Sequence, residues 1–212
     1  MELRVKFNKI SDAKYISHLD LLRTFNRMIM RSDLKPAYSQ GYNPHIIVSF
    51  LQPSSVGMAT KSDCLDITLE GEYDLNKVLL NLQEVAPRGI EITSVEGNNG
   101  KLKFNTLSSA VYSVLIDTNA TKDDIINFLR LDEIFVDKKT KKGIKEVDIK
   151  PLLLSYEVKD GIELILHLKA GSSENLNPSL LLKAMEKYID NIYINNVRII
   201  REYLLSENGE IF

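Results

Sequence analysis

Residues 17–36 read SHLDLLRTFNRMIMRSDLKP, and the fold follows from how this stretch starts, stops and is flanked. Ser17 can cap a helix with its hydroxyl, and Asp20, three residues on, completes a capping box. Ile16 and Leu21 fall where a hydrophobic staple would join the entering chain to the helix. Leu22, Phe25, Met28 and Ile29 recur at helical spacing and supply one apolar face. The expectation is a helix from Ser17 to Asp33, with Pro36 blocking continuation because proline has no N–H to donate. Upstream, Leu3, Val5 and Phe7 alternate with Arg4 and Lys6, so residues 2–9 read as a half-buried strand. Downstream come strands at 46–51 and 64–69, a helix from Asp74 to Val85 capped by Asp74, and a strand at 90–95. The order is βαββαβ, that of a ferredoxin-like split unit.

Gly97-Asn98-Asn99-Gly100 reads as a linker, and beyond it the order nearly repeats. A strand at 110–117 precedes a helix begun by Thr121 and ending near Leu131. Short strands at 134–136 and 145–149 flank a lysine-rich turn, and strands at 152–158 and 163–168 form a hairpin over Lys159-Asp160-Gly161. Asn177 caps a helix with Pro178 at its first position, and a long strand at 194–205 closes the chain. The fold class is α+β. Two ferredoxin-like units stand in tandem, the second with an inserted hairpin. The domains are expected at 1–97 and 106–212. The halves share no obvious sequence identity, so the repetition is one of shape.

Length suits two units of about 100 residues each. Hydrophobic residues make up 44% and charged residues 26%, which is enough apolar material for a core and too much for a disordered chain. The N-terminal MELRVKFNKIS is not a signal peptide, and no apolar run reaches the roughly 20 residues of a membrane helix. The single cysteine, Cys64, rules out an intramolecular disulfide and a cysteine-held cluster within one chain. Cytoplasmic location is the expectation, with no cofactor or metal and no membrane partner. The net charge of -2 hides an asymmetry: residues 1–61 hold nine Lys/Arg against four Asp/Glu, which leaves 62–212 acidic. A basic N-terminal third suggests an anionic partner there.

Four groups of residues could carry chemistry. Arg23, Arg27 and Arg31, spaced by four, form one stripe along the first helix, and the planar arginine fork suits phosphate. Tyr38-Ser39-Gln40-Gly41-Tyr42-Asn43-Pro44-His45 is a polar loop with two tyrosines able to stack on bases. Its Gln40, Asn43 and His45 can read base edges or riboses. Tyr15, His18 and His45 could form a metal-free acid/base set for RNA cleavage, and Asp20 with the two histidines a metal site instead. Lys138, Lys139, Lys141 and Lys142, around Thr140, make a basic turn able to track phosphates. Each has a plainer reading as solvated surface or structured turn. His167 alternates with Leu166 and Leu168 and is expected to face solvent. Arg23, Arg27, Tyr42 and His45 are expected to line one shared groove.

The run Tyr15-Ile16-Ser17-His18-Leu19-Asp20-Leu21-Leu22-Arg23, then Tyr38 to His45, then Ser49-Phe50, resembles the radical-SAM-linked protein family, a bacterial domain of unknown function. The resemblance takes in Lys145-Glu146-Val147-Asp148-Ile149-Lys150 and the final strand at 197–204. Tyr42 stands where that family typically has phenylalanine, which keeps an aromatic ring. The resemblance implies a radical-SAM protein as partner, often of the cobalamin-binding kind, and a genomic neighbourhood near ribonuclease E/G-type genes. It implies no catalytic residue. The N-terminal half is also similar, more distantly, to CRISPR repeat-processing endoribonucleases built from tandem ferredoxin-like units, a likeness of fold alone.

The leading expectation is an accessory, non-catalytic module that binds RNA and presents it to a radical-SAM protein in RNA or ribosome modification. The alternatives are a metal-independent ribonuclease and a protein-interaction subunit without RNA contact. The chain cannot itself be a radical-SAM enzyme, because that cluster needs three cysteine ligands.

Overall fold

A computed structural model describes residues 1–98, 102–140 and 143–212, with the side chains of 138–140 outside that description. The chain divides into two compact units, Met1–Thr106 together with Ile211–Phe212, and Leu107–Glu210.

In the first unit, β1 (Glu2–Lys9) leads through a short 3-10 turn, Ser11–Tyr15, into α1 (His18–Arg31). Then follow β2 (Val48–Phe50), β3 (Ala59–Thr68), α2 (Leu75–Val85) and β4 (Ile90–Gly97). β1 pairs with β3 and β4, and β2 pairs with β3, all antiparallel, so the strand order is β4-β1-β3-β2. The alternation in β1 works as written: Leu3, Val5 and Phe7 are buried against α1 and α2 residues of one core. Phe7, Phe25 and Phe50 form an aromatic cluster with ring centroids 4.8–6.1 Å apart.

Local chemistry sets α1. Ser17 Oγ accepts from the Asp20 backbone N–H, so the cap is as expected. Asp20 does not complete the box: its carboxylate accepts from Ser17 Oγ and from Arg23 instead. The core face is Leu21, Phe25, Met28 and Ile29, with Leu21 taking the place expected of Leu22. The helix stops at Arg31, well before Pro36, because Ser32 turns extended and its hydroxyl folds back onto the Ile29 carbonyl. β2 is shorter than expected and β3 longer. Among the described residues, Gly89 is the one loop glycine of this unit under close constraint. Its φ is +87°, and an added Cβ would lie 2.7 Å from the Ile10 carbonyl oxygen.

The second unit runs β5 (Leu107–Thr118), α3 (Lys122–Leu129), β6 (Phe135–Thr140), β7 (Gly143–Asp148), β8 (Leu153–Lys159), β9 (Glu163–Lys169), α4 (Pro178–Tyr188) and β10 (Ile194–Ser206). Antiparallel pairing gives the order β10-β5-β9-β8, while β6 and β7 form a two-stranded ribbon of their own. α3 has a complete capping box between Thr121 and Asp124. Thr121 holds Asp124 below the usual carboxylate range through its hydroxyl and backbone N–H. Asn177 caps α4 through the Ser179 N–H, with Pro178 first in the helix. The class is therefore α+β, with four helices among the described residues and antiparallel sheets. No helix among them is long and apolar enough to cross a membrane.

Candidate functional site

The Tyr38–His45 loop is a stiff hairpin rather than an open turn. Pro36 and Leu69 face each other as an antiparallel pair, as do Tyr38 and Ile46. Ala37 N–H donates to Thr68 at 2.9 Å and Ile47 N–H to Ala37 at 3.0 Å, so both legs are tied to the end of β3 or to each other. Across the hairpin, Ser39 N–H donates to the His45 carbonyl at 2.9 Å. Ser39 Oγ also accepts from the His45 backbone N–H and lies 2.9 Å from His45 Nδ1. Gly41 makes the reversal at φ +133°. Tyr42 sits at the tip with its side chain 100% exposed, and Gln40 and Asn43 beside it are also exposed.

The hairpin lies over the end of α1. Tyr38 Oη donates to Met30 Sδ at 3.4 Å. Met30 is three residues from Arg27, a spacing that makes helix side chains neighbours. Arg27 and Arg31 are exposed and form no ion pair among the described residues. They line a small groove of about 170 Å³ with Thr24, Met28, Val85 and Pro87. Of the residues expected to share a groove, Arg27 lines this one, and Arg23, Tyr42 and His45 are not among its lining residues. Arg23 instead pairs with Asp20 at 2.9 Å on the surface, and Ser17 and then Arg23 hold the Asp20 carboxyl below its usual range. What the structure does bring together is Tyr38 of the hairpin and Met30 of α1, which stands one turn from Arg27.

The acid/base set is not assembled. The His18 ring packs edge-on to Phe50 with centroids 5.3 Å apart. His45 precedes Phe50 by five extended residues, which at about 3.3 Å each puts the two histidines on the order of 15 Å apart. Tyr15 is exposed under the Lys14 ammonium, 4.9 Å from its ring. The same separation leaves Asp20, His18 and His45 unable to share a metal ion, and no group of three such side chains that could hold one occurs among the described residues. Lys141 and Lys142 lie outside the described residues. Of Lys139 only the backbone is described, in β6 opposite Ile144.

His167 does not point freely into solvent. Its Nε2 lies 2.8 Å from Ser109 Oγ, and partial burial pushes its pKa down. The alternation along β9 holds, but the face opposite its leucines is itself partly covered. Sequence reasoning also misses Arg4. Its place in the alternation makes it a surface cation, yet it is buried, with bonds of 2.8 and 3.0 Å to the two Asp66 oxygens. Asn98 donates to the same carboxylate, and the guanidinium lies 4.6 Å from the Phe104 ring centroid and 5.8 Å from that of Phe212. The strand register is the available signal, because Arg4 and Asp66 stand directly opposite. In the segment 145–150, Asp148 accepts from the Ile134 and Lys150 N–H groups, and the Lys150 ammonium caps the Leu129 carbonyl at the end of α3.

The chain belongs to a family of uncharacterized proteins conserved in bacteria (DUF2344), whose family model matches residues 2–178. The match ends at the start of α4 and does not take in the final strand. No curated protein matches the chain.

Proposed function

We propose that this protein is an accessory RNA-binding module that works with a radical-SAM protein in RNA or ribosome modification, from the cytoplasm and without catalysis of its own. The single observation behind the RNA reading is the exposed tyrosine tip held on a rigid base that meets α1 at Met30. Tyr42 is fully exposed, yet the hairpin beneath it is fixed by the Ser39–His45 bonds. A ring carried in an exposed position on a fixed backbone loses little further entropy on stacking. The adjoining Arg27 and Arg31 supply phosphate contacts, and base stacking plus phosphate pairing is what single-stranded RNA recognition uses. The radical-SAM partner rests on the sequence resemblance. The strand orders β4-β1-β3-β2 and β10-β5-β9-β8 support reading both units as ferredoxin-like, with the β6–β7 ribbon inserted in the second.

The test is fluorescence anisotropy with single-stranded and structured RNA at several salt concentrations. Tyr42→Ala should weaken binding by about 1–3 kcal/mol with little change in salt slope. Arg27→Ala should weaken all sequences alike and reduce the slope by about 0.7 for a single strand. Absence of salt-dependent binding by the unaltered protein would reject the reading.

A second reading has its own observation. Leu19, Met30, Tyr38 and Ile47 are exposed on α1 and its hairpin, and such a patch suits a protein interface. In that case the radical-SAM protein is held without RNA. Co-purification unaffected by Leu19→Asp and Met30→Asp would remove it.

A further inference from the structure

The second unit contains a cleft of about 440 Å³ between α3 and the C-terminal end of α4. Its size is that of a small-molecule site. The walls are apolar where Phe128 and Tyr188 meet, their ring centroids 5.9 Å apart. The rim is acidic and amidic, from Asp124, Asp190, Asn119 and Asn127, and no lysine or arginine lines it among the described residues. The frame is set in advance. Asn119 spans the mouth, donating to the Asn191 carbonyl and accepting from the Tyr193 N–H at 2.9 Å each. Tyr188 Oη accepts from the Phe135 N–H at 2.8 Å, which fixes its ring. The Asp190 carboxylate and the Asn127 amide have no partner among the described residues, and Asp124 spends only Oδ2 on Thr121. The last-turn carbonyls of α4, which ends at Tyr188, add partial negative charge at the same place.

We infer that this cleft binds an organic cation: an ammonium or guanidinium head at Asp190 and Asn127, with an aliphatic stem along Phe128 and Tyr188. An anion would meet two carboxylates and a helix C-terminus. A compact hydrated metal ion would leave the aromatic wall unused. Such a head and stem occur in free polyamines and in the lysine or arginine side chain of a partner protein, and the two sources separate experimentally.

Calorimetric titration and amide NMR of the full chain would use spermidine, an arginine dipeptide amide, and octanediol as an uncharged control. Saturable binding of spermidine, with shifts at residues 119–131 and 188–193, supports the site with a free polyamine as its ligand. Saturation by the dipeptide alone supports it with a protein side chain as ligand. In either case Asp190→Asn should weaken binding about two- to fivefold, and Asn127→Lys, which brings a cation to the rim, should abolish it. Both positions are exposed, and the same spectra report whether each variant is folded. No saturable binding by either cation, equal binding of octanediol, or indifference to both variants would overturn the inference. None of these outcomes bears on RNA binding by the first unit.

Discussion

Replacing Asp66 by alanine tests whether the first unit depends on the charge it buries. The Arg4 side chain is 4% exposed and that of Asp66 23%, so removal of the carboxylate strands a guanidinium that water barely reaches. Breaking a buried pair in this way costs about 3–5 kcal/mol, and Asn98 also loses its acceptor, about 1 kcal/mol. One term acts against this: the exposed side of Asp66 admits some water to the site, while the Phe104 and Phe212 rings face the cation before and after the change and so cancel. The expected net loss is about 3 kcal/mol, or roughly 6–12 °C in midpoint for a chain of this size. Urea unfolding followed by circular dichroism, alongside a thermal melt, would measure it. The pair Arg4→Met with Asp66→Leu should regain most of the loss, because an apolar pair of similar volume leaves no buried charge. A loss under about 1 kcal/mol for Asp66→Ala, or a double variant no more stable than the single one, would refute the reasoning.

Ser17→Ala should cost about 0.5–2 kcal/mol in the same melt, since it removes the acceptor for the Asp20 N–H; an unchanged midpoint would mean that water replaces the cap. Partial burial lowers the His167 pKa in the folded state, so the unfolded chain takes up the proton first as pH falls. Stability from this residue is therefore full above the unfolded value of about 6.5 and is lost as pH drops through the lower folded value. His167→Gln should flatten that part of the pH–stability curve. Burial pushes the Cys64 thiol up to about 12, so an aromatic disulfide reagent near neutral pH should label it only on unfolding, and prompt labelling of the native protein would contradict its placement.

Helices and strands are legible where period and punctuation agree. Ser17, Asp74, Thr121 and Asn177 all cap helices, because a side chain that accepts from a first-turn N–H acts within four residues of sequence. The alternation of Leu3, Val5 and Phe7 locates β1 for the same local reason. What cannot be read depends on pairing between distant residues or on a single side chain's rotamer. The early stop of α1 comes from Ser32 folding back, which leaves Pro36 redundant as a terminator. The burial of Arg4 depends on Asp66, Asn98, Phe104 and Phe212, which meet only when β1 has found β3. Likewise His167 looks like a solvent-facing position until Ser109 of β5 is placed beside it. The loop at 38–45 is recognisable as special from its composition, but its stiffness lies in bonds across the hairpin and to the end of β3.

Much of the block from Tyr15 to Phe50 serves the fold itself. Ser17 caps α1, Phe25 and Phe50 fill the core beside Phe7, His18 packs on Phe50, and Ser39 with His45 closes the hairpin. Asp148 and Lys150 serve the second unit in the same way. Among the groups that the fold does not use are Arg27 and Arg31 on the helix, and Gln40, Tyr42 and Asn43 on the hairpin. A fully exposed ring and two guanidinium groups with no ion pair among the described residues contribute nothing to the core and little to stability, yet the hairpin spends a serine, a histidine and a left-handed glycine to hold the ring out. Rigid display of a side chain that stabilises nothing is the arrangement expected of a contact surface, since a binding residue is most useful when its ordering cost has already been met by the fold. On the proposed RNA-binding reading, the Tyr42 tip with Arg27 and Arg31 is the surface that RNA would meet, since His18 packs on Phe50 and Tyr15 lies beside Lys14.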